Sequence, residues 1–125
     1  MDLLIITNNP LVNNRFKENY EVELCDCSYS DILIKVRDLI HAGHKLLSHP
    51  LSGSIKPNET PYKTILVTKS AGSLDFDSLR IIEDSILTCR KFGTNRFHLT
   101  EGICEDFMLI DLSLISGALS ESTKV

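Results

Sequence analysis

Apolar positions fall along this chain in short blocks whose spacing changes from block to block. Leu3 to Ile6 is a continuous apolar run closed by Thr7-Asn8-Asn9-Pro10. That pattern predicts a buried strand followed by a breaker. Pro10 to Lys17 fits one or two helical turns, with proline at the first helical position. Val22 to Cys25 alternates with acids and predicts a second strand. Ile32, Leu33, Val36, Leu39 and Ile40 then recur at spacings of three and four, the stripe of an amphipathic helix. Ser30 is expected to cap it and Gly43 to stop it.

Lys45 to Ser48 is expected as a third strand, and Lys63 to Lys69, KTILVTK, as a fourth, rich in β-branched residues. Asp75 and Asp77 open the longest predicted helix, with Phe76, Leu79, Ile82, Ile86 and Cys89 as its stripe and Gly93 as its stop. The run FMLIDLSLI, Phe107 to Ile115, reads two ways. Either Phe107 to Ile110 is a fifth strand and Asp111 caps a last helix, or one helix runs on from Glu105. The polar break at Asp111 favours the first.

Strands that alternate with helices predict a parallel sheet covered by helices. The expected fold is α/β, a small three-layer sandwich with a mostly parallel, flavodoxin-like sheet of four to five strands. The 125 residues fit one domain, 1–125. A crossover helix is missing from this scheme. In its place stands HPLSGSIKPNETPY, His49 to Tyr62, which holds three of the four prolines.

Composition changes the picture mainly by exclusion. The net charge is -4 and no predicted face is basic, so nucleic acid is not an expected partner. The apolar runs are too short to span a bilayer. The start, MDLLIITNNP, lacks the features of a signal peptide, and a cytoplasmic location is expected. Cys25 and Cys27, two apart on a strand, face one side and would suit a metal or a redox pair. No further ligands follow at zinc spacing, so neither a metal nor a cofactor is expected.

In an open parallel sheet, ligands bind beyond the carboxyl ends of the strands. Those ends carry Asn8 and Asn9, then Cys25 to Ser28, then His49, Ser52, Gly53 and Ser54, then Lys69 and Ser70, and finally Asp111 to Ser113. If the strands are parallel, these residues share one rim. If the fourth strand is antiparallel, the third and fourth ends separate. Lys69 and Ser70, ahead of a helix start, would suit an anion, although Ser73 fits a plain helix cap. His49 would suit a general acid or base, or a hydrogen bond to its own loop. No GxxxxGK[ST], GxGxxG or GxSxG motif is present.

The loop HPLSGSIKPNETPY, with TNNPLV at Thr7 to Val12 and the helix DILIKVRDLIHAGHKLL, resembles the GrdX family. These small proteins are encoded beside components of glycine, sarcosine and betaine reductases in amino-acid-fermenting anaerobes. The resemblance implies an accessory or regulatory role, not the selenocysteine chemistry of the reductase itself. The leading expectation is a non-catalytic accessory protein that binds a reductase component or a small anionic metabolite. The alternative is a small enzyme acting on an acyl or phosphorylated intermediate, with His49 as acid or base.

Overall fold

The computed structural model describes residues 2–52, 59–92 and 101–122. The apolar run at the start forms β1 (Leu3–Thr7), followed by α1 (Pro10–Phe16), β2 (Glu21–Leu24) and α2 (Tyr29–His41). After the long loop come β3 (Thr64–Thr68), α3 (Phe76–Phe92) and α4 (Glu101–Ser122). The described strands make a three-stranded sheet in the order β2-β1-β3. β2 runs parallel to β1, as the intervening α1 requires. β3 runs antiparallel to β1, with Leu3 opposite Thr68 and Thr7 opposite Thr64.

This mixed sheet replaces the expected flavodoxin-like sheet of four to five mostly parallel strands. Two elements account for the difference. The segment expected as a third strand makes a single antiparallel bridge, Leu46 with Val67, on the free edge of β3. The bonds from Leu47 N to Leu66 O and from Thr68 N to Lys45 O flank it. Lys45–Ser48 and β3 are therefore the arms of a wide hairpin, and the stretch between them needs no crossover helix. The expected fifth strand, Phe107 to Ile110, lies inside α4. Asp111 is a buried mid-helix residue, not a cap. The apolar run there is not alternating, and an internal acid does not interrupt a helix.

Sheet alternation sends side chains to two cores. Ile6, Ile65 and Val67 pack with Ile32, Val36 and Ile40 of α2 and Ile82 of α3. Leu3, Ile5 and Leu66 pack with Val12 and Phe16 of α1 and Ile115 and Leu119 of α4. Because β1 is the central strand with helices on both faces, its run is apolar throughout. Full burial of each such side chain contributes about 1.5–3 kcal/mol.

The helix ends are set by local chemistry, and two caps differ from expectation. Ser28, not Ser30, caps α2: its hydroxyl accepts from Asp31 N, and the Asp31 carboxylate accepts from Ser28 N. This reciprocal box satisfies two otherwise unpaired amides. Asp75, not Ser73, caps α3, its Oδ2 accepting from Ser78 N at 3.1 Å and from the Ser78 hydroxyl at 2.6 Å. Gly43 ends α2 at φ 108°, as its sequence position predicts. A Cβ there would strike the backbone of Gly72, whose N–H donates to Gly43 O. Gly93, the expected stop of α3, lies outside the described residues. No described helix is long and apolar enough to cross a membrane.

Candidate functional site

Polar residues crowd the carboxyl end of β1. Thr7, Asn8 and Asn9 follow a strand whose interior is wholly apolar, and all three are buried. Buried polar groups need partners, and these find them in every neighbouring element. Asn8 donates through Nδ2 to Cys27 O at 3.0 Å and to Pro61 O at 2.8 Å, while its Oδ1 accepts from Lys63 N at 2.8 Å. One amide thus ties the end of β1 to the start of α2 and to the returning end of the loop.

Asn9 caps α1, its Oδ1 accepting from Leu11 N at 3.0 Å. Its Nδ2 donates to Met108 O at 2.9 Å and to Asp111 Oδ2 at 3.0 Å, both in α4. The Thr64 hydroxyl donates to the same Asp111 oxygen at 2.7 Å. Its one proton being used, the 2.7 Å contact between the two threonine hydroxyls is donated by Thr7. Thr7 Oγ1 in turn accepts from Asn9 N. The hydrogen bonds run from Asn9 N to Thr7, from Thr7 to Thr64 and from Thr64 to Asp111, which accepts.

Asp111 is 6% exposed and Lys63 is 5% exposed. Burial raises the Asp111 carboxyl above its ordinary value, opposed by the hydrogen bonds from Thr64 and Asn9 and by the charge of Lys63. Burial lowers the Lys63 ammonium, and the charge of Asp111 opposes that shift. The two are not in ion-pair contact, and among the described residues the Lys63 ammonium has no hydrogen-bond or ion-pair partner. Tyr29, 7% exposed, has its phenol held well above the ordinary value by burial. Its hydroxyl likewise has no partner among the described residues.

These groups meet at a half-open cavity of about 20 Å³, lined by Tyr29, Lys63 and Asp111 and by Ser52, Thr60 and Tyr62 from the loop ends. That volume admits about one water-sized group. The walls from α4 are apolar, including Phe107, Ile110 and Leu114. An unpartnered ammonium and phenol, a fixed carboxyl and apolar walls make a setting in which a small polar group would be held strongly.

The residues expected at the site divide. Asn8 and Asn9 are structural members of this network, and Ser52 lines the cavity. Lys69 and Ser70 follow β3, which runs the other way, and so lie at the opposite end of the sheet. There Lys69 N donates to Asp2 O, and the exposed Ser70 hydroxyl donates to Asp2 Oδ2 at 2.7 Å. His49 is exposed, and its Nδ1 accepts from Leu51 N at 3.0 Å within its own loop. Gly53 and Ser54 lie outside the described residues. Lys63, Thr64 and Tyr29 were not anticipated, and Asp111, expected at a strand end, reaches the site from the middle of α4. The available signal was a single charge at the edge of, or within, an apolar run, as in YKTILV and LIDLSL.

The cysteines are free thiols. Cys25 and Cys27 both pack against the core below α2. Burial and the neighbouring Cys25 push the Cys27 thiol up to about 11, so little thiolate exists there at neutral pH. Among the described residues no group of three or more His, Cys, Asp or Glu side chains is placed to hold a metal ion.

Comparison with known proteins adds one match. A family model described as GrdX-like protein matches residues 4–120. No curated protein and no solved structure matches the chain.

Proposed function

The chain belongs to the GrdX-like protein family, and on that premise we propose that it is an accessory or regulatory protein of the glycine, sarcosine and betaine reductase system that binds a small anionic metabolite. The binding site in this reading is the cavity at Lys63, Tyr29 and Asp111. One observation carries it: a buried ammonium without a hydrogen-bond or ion-pair partner among the described residues, facing a cavity. A buried cation is costly alone and gains from an anion brought to it. The Tyr29 hydroxyl would donate a second hydrogen bond to the same anion.

The test is a thermal-stability titration with acetate, inorganic phosphate and acetyl phosphate, run on the native protein and on Lys63→Met. The substitution keeps the length of the stem and removes the charge. At least one anion is expected to raise the Tm of the native protein and to leave Lys63→Met unmoved. No rise with any of the three, together with no association with purified reductase components, would overturn the proposal.

A further inference from the structure

The lysine in this cavity has the setting of a nucleophile as well as that of an anion anchor. An amine attacks a carbonyl carbon only when unprotonated, and desolvation is what favours that form. Lys63 is 5% exposed and among the described residues forms no ion pair, while Asp111 is held by Thr64 and Asn9 on the same cavity wall. We infer that Lys63 forms an imine with small 2-oxo acids, with Asp111 as the proton donor and acceptor and Tyr29 as a hydrogen-bond donor to the substrate carboxylate. The inference rests on the same cavity proposed to bind anions, and it names the class of anion.

The step balances without an oxidant or a reductant. The neutral Nζ of Lys63 attacks the carbonyl carbon, and the carbonyl π pair passes to oxygen. That oxygen takes a proton and the nitrogen loses one, giving a carbinolamine. Asp111 in its acid form then protonates the departing hydroxyl, which leaves as water while the nitrogen lone pair closes the C=N bond. Burial moves the two groups in opposite directions, Lys63 down and Asp111 up. Transfer of a proton from the ammonium to the carboxylate is therefore easier here than in water.

The experiment uses the full chain with pyruvate and sodium cyanoborohydride, which reduces an imine to a stable secondary amine. Intact mass and peptide mapping are read against time. One reduced pyruvate adduct, located at Lys63 and absent from Lys63→Met, is the expected result. Asp111→Asn is expected to slow the adduct by roughly 100-fold while Lys63 stays in place, the scale of a lost general acid. Circular dichroism confirms that each variant is folded, and Lys69→Met serves as the exposed-lysine control with an unchanged rate. Labelling spread evenly over surface lysines, or no adduct, overturns the inference. A Tm rise with acetate and no adduct leaves anion binding standing and removes the imine. An adduct at Lys63 without any Tm rise removes reversible anion binding and keeps the imine.

Discussion

The strand KTILVTK has almost the same sequence from either end, yet its two ends occupy different surroundings. At one end Lys63 and Thr64 are buried, and the Thr64 hydroxyl donates a hydrogen bond to a buried carboxyl. At the other, Thr68 is half-buried and Lys69 is exposed. Thr68 accepts from Lys45 N and donates to Ser70 O, ordinary turn bonds near water. Residue type is equal at the two ends, so it does not make the difference. What makes it is the helix laid over one end: α4 brings Asp111 and an apolar wall to Lys63 and Thr64, and among the described residues no such element lies over Lys69. Polar residues at a sheet end become chemistry only where something removes the water.

Four measurements break or sharpen that contrast. The largest effect is expected from Asn8→Ala at the buried end. It strands Cys27 O, Pro61 O and Lys63 N, and each such group costs about 1–3 kcal/mol. A loss of about 4 kcal/mol in urea unfolding is expected, and a loss under about 1 kcal/mol would show that the network is not a structural clasp.

Gly43→Ala, at the open end, comes next. Its positive φ and the adjacent Gly72 backbone leave no room for a Cβ. A loss of about 2–3 kcal/mol is expected from the strain. Here the open end depends on backbone geometry, not on polarity.

The third measurement is a stability profile against pH. The folded carboxyl of Asp111 lies above its ordinary value of 3.8. Its contribution is therefore complete below 3.8 and is lost as pH rises through the folded value. The Tm of the native protein minus that of Asp111→Asn should fall across that window. Lys63 is depressed from 10.5, so its contribution is complete above 10.5 and is lost as pH falls through its folded value. A flat difference for Asp111→Asn would mean that its carboxyl is solvated like an exposed one.

The smallest effect is expected from Ser70→Ala. Its bond to Asp2 is exposed, and a change within about 0.5 kcal/mol is expected from urea unfolding. A cost comparable to that of Asn8→Ala would erase the distinction between the two ends.

The same contrast explains what the sequence could and could not disclose. Short apolar runs located β1 and β3, Pro10 marked α1, and hydrophobic period located β2, α2 and α3. Period carries no direction, so nothing in KTILVTK says that it runs against β1. With that direction unknown, Lys69 and Asn8 looked like neighbours, and they are at opposite ends. The extent of α4 stayed open between two readings for another reason. Apolar residues surround it, and Leu109, Ile110 and Leu114 are exposed, so neither a stripe nor an alternation marks it. Asp111 then looked like a boundary. Its burial arises from long-range contacts with Thr64 and Asn9, which local patterns do not encode.

The wide hairpin has a consequence for how this protein can vary. The chain between Ser48 and Thr64 leaves one arm and returns to the neighbouring one, so its length is not tied to crossing the sheet. Closing such a loop costs free energy that grows only with the logarithm of its length, about 0.6 kcal/mol per doubling. Residues can be added between Ser52 and Glu59 at small cost, provided that Asn8 still holds Pro61 and Lys63. The length of this connection can thus change while Lys63, beside the start of β3, stays fixed.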